Sequence, residues 1–305
     1  MTVAPAEMDP RVCARLDDVI AKGDLDVPAL GEAVAQLLIE TRKPDADVRR
    51  VADIIRRDAA LAGNLMKLAN SSQYAGREPA VTLQQVVSRV GTTALRDLAL
   101  VIATRTRAFR VAGHEQEMRD LFAHAFATGL YAQEVARTRR LGVEEAFLAG
   151  LFHDVGRPLV LQLVIDLYAE VGEPVDDRVL AWAADALHAD IGARAVETWQ
   201  LGKNLADAVR YHHDFGRDTA RRPAALAAFA SALARYALAG GTGTAVGTGD
   251  TTDADLDDPV VVAQLEAEIA VREHPAVTAL GVYPDDVVRF LQAAPKVVKQ
   301  VAEAL

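Results

Sequence analysis

Apolar side chains recur every three or four residues along most of this chain, and polar residues fill the positions between them. Such spacing places the apolar residues on one face of an α-helix, whereas the side chains of a half-buried strand alternate every second residue. Leu30, Val34, Leu37 and Leu38 show the helical spacing early in the chain. No convincing strand pattern interrupts it, so the sequence predicts an all-α fold.

Two stretches depart from this pattern. Residues 1–24 are rich in Ala, Pro and Asp and contain only a short amphipathic piece, from Val12 to Ile20, so we expect a loosely attached extension. Residues 240–258 combine Gly, Thr and Asp with few apolar side chains. Because little apolar area is available to offset the entropy of ordering them, these residues are predicted to form a flexible acidic loop.

Composition and charge limit the classes of function. Of the 305 residues, 51% are hydrophobic and 25% are charged, which is ordinary for a globular protein. The formal net charge of −10 argues against broad electrostatic binding to nucleic acid. Cys13 is the only cysteine, and the start of the chain has no apolar segment of the secretory type. We therefore expect a cytoplasmic protein that does not insert into a membrane.

The stretch from 147 to 157 is the most distinctive in chemical terms. Its apolar residues have the spacing of a buried helix face, and His153 and Asp154 end that face just before Gly156 and Pro158. An imidazole beside a carboxylate at a buried helix end is costly to remove from water unless both have partners. Either a metal ion or a hydrogen-bonded polar cluster would provide those partners.

Other histidines are candidates for the same pocket. The chain has seven, and five of them lie on or at the end of predicted helices with an apolar face. Neutral imidazoles and carboxylates suit Zn, Fe or Mn. Alternatively, each histidine is a core or surface residue with its own hydrogen-bond partner. The candidate pocket residues are His124, His153, Asp154, His188, His212 and His213, with Asp120 one helical turn before His124.

The order of these residues resembles that of the HD superfamily of metal-dependent phosphohydrolases. The flanking sequence is more similar to one branch of it, the HDOD domains (HD-related output domains). This likeness extends from about Asp26 to Leu238, and several segments agree in order. They are residues 58–71, 81–98, 147–156, 188–193 and 208–213.

The HDOD resemblance implies a two-lobed helical fold and a signalling role. The first lobe is expected at residues 25–112 and the second, HD-like lobe at residues 113–305, which include the acidic loop. HDOD domains are bacterial signalling or regulatory modules that are usually thought to bind partners rather than catalyse. The resemblance therefore favours a protein-binding output module.

Two positions depart from the pattern of catalytic HD proteins. Arg157 stands where a Lys often follows the His-Asp pair, and Ser231 stands where a late helix should supply an Asp ligand. A neutral hydroxyl does not replace the charge of a carboxylate that closes the primary metal site. We therefore expect no catalytic residues and a vestigial or weak site, with no cofactor beyond a weakly held Fe, Mn or Zn ion.

Three functions remain open from the sequence. The favoured one is a non-catalytic signalling output module that binds another protein or a small ligand. Its rival is a metal-dependent phosphohydrolase acting on a nucleotide or cyclic dinucleotide, with His153 and Asp154 as ligands. The third is a regulator associated with nucleic acid.

One basic helix face is a candidate surface for a partner. Arg49, Arg50, Arg56 and Arg57 recur seven residues apart on one predicted helix. Charges of this kind are more often a solvated helix surface than a binding site. The functional alternative is a docking site for an acidic partner or for nucleic acid, although no aromatic side chains are interleaved to stack on single strands.

Overall fold

The protein is helical in the computed structural model, which describes residues 5, 8–23, 25–41, 43, 45–71, 76, 78–104, 111–216, 221–241 and 259–304. No strand occurs in these ranges, so the predicted all-α fold is confirmed. The first helices are α1 (Pro10–Lys22), α2 (Glu32–Thr41), α3 (Val48–Arg56), α4 (Ala59–Ala69), α5 (Leu83–Val90) and α6 (Thr92–Thr104). The middle helices are α7 (Glu115–Arg139), α8 (Val143–Phe152), α9 (Gly156–Val171), α10 (Asp177–Thr198), α11 (Lys203–Tyr211) and α12 (Arg221–Leu238). The last are α13 (Pro259–Arg272), α14 (Pro275–Leu280), α15 (Pro284–Gln292) and α16 (Ala294–Ala304).

Helices α2 to α6 pack on one another and form a first lobe. Helix α3 illustrates why the sequence folds this way. Asp47 caps its start by accepting a hydrogen bond from the backbone N–H of Arg49 (2.8 Å), and Val51 and Ile55 on its inner face are fully buried. The apolar spacing seen in the sequence therefore marks the faces that form this lobe's core.

Helices α7 to α12 form a second lobe around the alanine-rich helix α12. Helix α7 packs against α8 and α12, and α10 packs against α9 and α11. Short side chains such as Ala227, Ala230 and Ala234 are fully buried on α12, which lets several helices approach it. Helices α6 and α8 are in contact and connect the two lobes.

Glycines at two helix crossings bring these helices unusually close together. A Cβ atom at Gly156 would overlap the carbonyl oxygen of His188, and one at Gly150 would lie 2.8 Å from the Cα of Gly129. A real side chain does not come that close, so α9 reaches α10 and α8 reaches α7 because these positions lack a Cβ. The first crossing places the turn before α9 beside His188.

Helix α1 differs from the prediction for the amino terminus. Val12 and Leu16 are buried, and α1 packs against α9 of the second lobe. The Arg194 guanidinium also donates a hydrogen bond to the carbonyl of Ile20, over 2.7 Å. Residues 10–22 are therefore packed on the second lobe and are not loosely attached, because the short amphipathic piece has a buried apolar face.

The carboxy-terminal helices complete the second lobe. The acidic loop predicted at residues 240–258 lies outside the described residues from position 242 onward. Helices α13 to α16 follow it, and they pack mainly against α12, α7 and one another.

One apolar stretch, Val143–Val171, has the length and composition of a membrane-spanning helix. It comprises α8, α9 and the turn that contains His153 and Asp154. Its apolar window is 67% buried inside the protein. Burial of this kind is typical of the core helices of a globular protein, which satisfy the same length and hydropathy criteria.

Candidate functional site

Five of the seven histidines lie together in the second lobe. They come from α7, from the end of α8, from α10 and from the end of α11, and Asp154 lies in the turn between α8 and α9. Ring centroids of neighbouring members are 4.0 to 5.3 Å apart. This histidine cluster consists of His124, His153, His188, His212 and His213, together with Asp154.

Backbone carbonyls fix the orientation of three of these rings. The Nδ1 atoms of His153, His188 and His212 lie 2.7, 2.6 and 2.7 Å from the carbonyl oxygens of Gly150, Ala184 and Val209. A carbonyl oxygen only accepts, so each Nδ1 carries a hydrogen and donates it. Each neutral ring is then left with an unprotonated lone pair on Nε2, as in histidines that bind a metal.

The Asp154 carboxylate lies among these Nε2 atoms. Its Oδ1 is 3.3 Å from Nε2 of His188 and 3.6 Å from Nε2 of His212. Its Oδ2 is 3.3 Å from Nε2 of His153, an atom that is buried and makes no hydrogen bond. Nε2 of His188 also lies 3.1 Å from Nε2 of His213. Lone pairs thus face one another in this part of the cluster, and a cation between them would remove their repulsion.

Burial favours the neutral form of His124, His188, His212 and His213 by lowering their pKa values. It lowers the pKa of His124 to about 3 and the pKa values of His188 and His213 to about 4. Burial alone would raise the pKa of the Asp154 carboxyl, but the adjacent His153 imidazole and the Arg157 guanidinium hold it below its usual range. At neutral pH the ionised Asp154 carboxylate therefore faces the neutral imidazoles of His188, His212 and His213, which is the protonation state that metal binding requires.

The donor atoms form two overlapping groups that share Asp154. All donor atoms within each group lie within 4.8 Å of one another. The four-ligand group is Asp154, His188, His212 and His213, and the three-ligand group is His124, His153 and Asp154. Three imidazoles and a carboxylate suit Zn, Fe or Mn, and the carbonyl bonds already orient two of those rings. The four-ligand group therefore fits such an ion, which when bound would acidify a coordinated water.

The three-ligand group has different surroundings. Nε2 of His124 lies 3.1 Å from the Ser231 hydroxyl, and Arg235, one turn later on α12, donates to the same hydroxyl over 3.2 Å. On the other side, Nε of Arg157 lies 3.3 Å from Oδ2 of Asp154. A metal ion here would share one carboxylate with the four-ligand group and meet two guanidinium groups. The three-ligand group therefore fits a metal less well.

Arg235 was not among the residues that the sequence singled out. Its position contains one usable signal, because it follows Ser231 by four residues and therefore lies on the same face of α12. Its proximity to His124 depends on how α12 packs against α7, which the spacing alone does not determine.

The structure leaves Asp120 outside the cluster, in contrast to the prediction. This residue is exposed, and its carboxylate accepts a hydrogen bond from the Gln116 side chain over 2.9 Å. Its spacing from His124 does place both on one side of α7. One turn earlier, however, the helix has reached the surface, so the carboxylate is solvated there.

A small recess opens beside Asp154, between α7 and the start of α9. Its volume is about 60 Å³, and its other lining residues, including Leu121, Phe122 and Leu151, are apolar. An apolar cavity that binds benzene measures about 150 Å³. The recess therefore accommodates a group of a few atoms and is too small for a nucleotide base.

The arginines of the candidate partner surface are all exposed, on α3 and directly after it. Nε of Arg50 lies 3.2 Å from the carboxylate of the buried Glu40, and Arg56 pairs with Asp53. Arg49 and Arg57 make no ion pair with any residue that the structure describes. Half of this basic face is therefore neutralised, which weakens the case for nucleic acid.

An exposed isoleucine lies next to this basic face. Ile39 on α2 is 64% exposed, although an apolar side chain of this size is usually buried. It borders a groove of about 270 Å³ between α2 and α3, whose rim includes Arg50 and Arg57. The groove thus combines an apolar contact with positive charge.

Three solved structures show where this fold occurs. An HDOD domain protein with unknown function from Geobacter sulfurreducens is 19% identical, has a TM-score of 0.63, and is matched over 97% of this chain and 98% of that one. A "putative metal-dependent phosphohydrolase" from Shewanella amazonensis SB2B is 18% identical, with a TM-score of 0.58 over 92% and 96% of the two chains. A "putative signal transduction protein" from Marinobacter aquaeolei VT8 is 22% identical, with a TM-score of 0.54 over 98% and 68%. At these identities the likeness establishes the fold.

Sequence comparison identifies the family. An uncharacterized protein of Treponema pallidum (strain Nichols) is 26% identical over 201 residues, which are 62% of this chain and 38% of that relative. The chain thus spans well under half the length of this relative. The family model described as HDOD domain matches residues 27–215, more than half of the chain. The chain therefore belongs to the HDOD domain family.

Proposed function

We propose that this protein is a non-catalytic signalling module, which acts in the cytoplasm by binding another protein. The observation that carries this proposal is the environment of Ser231. Its hydroxyl lies between His124 and Arg235, and the resemblance to catalytic HD proteins implies that Ser231 stands where their site has a carboxylate ligand. A neutral donor next to a guanidinium disfavours a cation, so the ion that would activate a water for hydrolysis is weakly held or missing there.

The histidine cluster then has a structural role. One ion in the four-ligand group would tie the turn before α9 to α10 and the end of α11, because its ligands come from these three places. Metal binding to the folded state adds to the free energy of unfolding. The cluster would thus stabilise the second lobe, against which the first lobe packs through the contact of α6 with α8.

The groove between α2 and α3 is the proposed partner surface. Its exposed Ile39 supplies apolar area, and Arg57 on its rim supplies charge that no described carboxylate neutralises, with Arg49 nearby on α3. An amphipathic helix with acidic residues beside an apolar anchor would complement both features. Charge complementarity of this kind would mainly raise the association rate.

Metal-dependent hydrolysis is the second candidate, and the four-ligand group favours it. Asp154 and three histidines retain the charge and geometry of a metal site. The test is to load the protein with Mn or Fe under anaerobic conditions and to assay cyclic di-GMP and bis(p-nitrophenyl) phosphate. His153→Ala and His188→Ala are the controls, because they remove a buried ligand nitrogen from the three-ligand and the four-ligand group, respectively.

We expect no turnover by any of these proteins and a lower thermal midpoint for both variants. Metal-dependent turnover that either variant abolishes would contradict the non-catalytic proposal. Turnover that both variants leave unchanged would mean that neither ligand group carries the activity, as the proposal requires.

A further inference from the structure

A cleft of about 530 Å³ lies between α7 and the carboxy-terminal helices α15 and α16, and none of its lining residues belongs to the histidine cluster. Leu130 on α7 and Val297 on α16 lie at its base, where they are only 7% and 6% exposed. Small-molecule sites usually measure about 300 to 1,000 Å³ and combine apolar walls with a few polar groups. The cleft therefore has the size and the apolar base of such a site.

Contacts between the helices hold the walls of the cleft in place. Helix α16 packs against both α7 and α12. Nη2 of Arg289 on α15 donates to the Thr138 hydroxyl on α7 over 3.2 Å, and it also donates to Asp286 over 2.7 Å. A ligand that enters the cleft thus does not have to bring these helices together first, which would cost binding free energy.

Positive side chains surround the opening of the cleft. Four of its lining residues are cationic, whereas Glu134 is the one anionic residue among them. The chain as a whole has a formal net charge of −10, so this part of the surface differs in sign from the average. The four cations are Arg137, Arg289, Lys296 and Lys299.

Surface carboxylates neutralise this charge only in part. Three of the cations each have a carboxylate partner, at 3.2, 2.7 and 3.9 Å, and their side chains are 55 to 70% exposed. Exposed pairs of this kind are weak, so a ligand could replace or join them. Lys296 makes no ion pair with any carboxylate that the structure describes. The three pairs are Arg137 with Glu134, Arg289 with Asp286, and Lys299 with Glu303.

The wall of the cleft also contains a polar group without a partner. Tyr131 lines the cleft next to Leu130, and its buried hydroxyl makes no hydrogen bond to any residue that the structure describes. Burial and the nearby Tyr236 raise the pKa of Tyr131 to about 13, so the hydroxyl keeps its proton at neutral pH. Buried hydroxyl groups usually have a partner. Tyr131 thus retains hydrogen-bonding capacity that the described residues do not use.

We infer that this cleft binds a small organic anion, whose apolar body rests on Leu130 and Val297 and whose charged group meets Lys296. The site is separate from the histidine cluster and from the groove between α2 and α3, so the inference does not depend on the proposed function. The ligand would contact both α7 and α16. Its binding would therefore stabilise the packing of the carboxy-terminal helices on α7.

The experiment uses two probes that share an aromatic body. Anilinonaphthalene sulfonate (ANS) carries one negative charge, and phenylnaphthylamine is the same molecule without the sulfonate. Each is titrated into the full chain at constant ionic strength, and its fluorescence is recorded. We expect ANS to bind at least about tenfold more tightly, because a charge-assisted contact is added. Equal affinity for the two probes would contradict the inference.

Lys296→Glu is the first variant, because Lys296 is exposed and its reversal breaks no ion pair that the structure describes. We expect its affinity for ANS to be at least about tenfold lower and its affinity for phenylnaphthylamine to be unchanged. Lys67→Glu is the matched control. It reverses the same charge at an exposed position on α4 in the first lobe, and it should bind both probes as the unchanged protein does.

Gln133→Trp is the second variant, and it tests the volume of the cleft. Gln133 is a half-buried lining residue on α7, so the larger ring should fill part of the cleft and lower the affinity for both probes. Circular dichroism checks that each variant is folded. The inference requires both losses, so either folded variant binding ANS as tightly as the unchanged protein would overturn it. Weaker ANS binding by Arg57→Glu, with none by Lys296→Glu, would place ANS in the groove between α2 and α3 and would also overturn it.

Discussion

Two buried carboxylates, one in each lobe, have opposite electrostatic environments. Asp97 on α6 is 4% exposed and pairs with the neighbouring Arg96 over 3.3 Å, and its burial outweighs this pair and raises its pKa to about 7. Asp154 is also largely buried, but the His153 imidazole and the Arg157 guanidinium hold its pKa below the usual range. Burial alone therefore does not make a carboxylate a metal ligand. The carboxylate also needs neighbouring side chains that keep it ionised, as His153 and Arg157 do for Asp154.

The comparison indicates where the chemistry of this protein lies. In the first lobe, the buried Asp97 and Glu40 each meet flexible cations that come from the protein surface. In the second lobe, Asp154 meets rings that backbone carbonyls hold in place. Only the second arrangement is preorganised, so a ligand entering it does not have to order the side chains first.

The largest loss of stability should come from a substitution at Gly156, where α9 crosses α10 beside the histidine cluster. Gly156→Ala places a Cβ on the carbonyl oxygen of His188, so α9 must move away from α10. We expect the free energy of unfolding to fall by about 3 kcal/mol or more, measured by urea denaturation, because overpacking here involves backbone that cannot yield. Both ligand groups should be lost with it.

Gly63→Ala is the control for the glycine substitution. Gly63 lies on an exposed face of α4, where a Cβ would meet nothing within 4 Å. Alanine should stabilise that helix by about 1 kcal/mol or less. A Gly156→Ala protein as stable as Gly63→Ala would show that the crossing is looser than the structure indicates.

A slightly smaller loss of stability is expected from a substitution of Asp154, the ligand that both groups share. Asp154→Asn leaves the Arg157 guanidinium without its buried partner, and we expect a loss of about 3 kcal/mol. Metal affinity should also fall by tenfold or more, measured by equilibrium dialysis with Zn, because the only carboxylate of the cluster is gone. Asp185→Asn, which removes the exposed partner of the same arginine, should change stability by no more than about 0.5 kcal/mol. Equal effects of the two substitutions would contradict the comparison.

Asp97→Asn should raise the free energy of unfolding, and the size of this gain should depend on pH. The folded pKa of about 7 is above the unfolded value of about 3.9, so the folded state binds the extra proton between these values. This stabilisation is complete below about pH 4 and is lost as the pH rises through 7. Relative to the unchanged protein, the variant should therefore gain about 2 kcal/mol more at pH 8 than at pH 5. A gain that is equal at both pH values would show that the pKa of Asp97 is not raised in the folded protein.

The smallest effects are expected at the basic face. Arg50→Glu removes one of two cations beside the buried Glu40. It should lower the free energy of unfolding, measured by thermal unfolding, by about 1 kcal/mol. Arg49→Glu combined with Arg57→Glu should change stability by about 0.5 kcal/mol or less. If the α2–α3 groove binds a partner, the double variant should nevertheless weaken that binding. Strong destabilisation by the double variant would mean that these two arginines have structural partners.

The sequence predicted the fold well because helical spacing records which face is buried. The sequence also predicted one shared pocket for six residues, since each is on or at the end of a helix with an apolar face. They are His124, His153, Asp154, His188, His212 and His213. Asp120 was misplaced because spacing on one helix gives direction but not depth. Arg235 was missed because its role depends on how α12 packs against α7. Helix α1 was underestimated because a short amphipathic piece gives no sign of the surface that it covers.

The most direct test of this account is the number of metal ions that the protein retains. The protein is loaded anaerobically with Mn, Fe or Zn and passed through a desalting column, and its metal content is measured by inductively coupled plasma mass spectrometry. We expect at most one ion per chain, which the four-ligand group holds and the His188→Ala variant lacks, because Ser231 and Arg235 disfavour a second ion. Two ions per chain in the unchanged protein would contradict this expectation, since a complete two-metal site has the composition of a hydrolase.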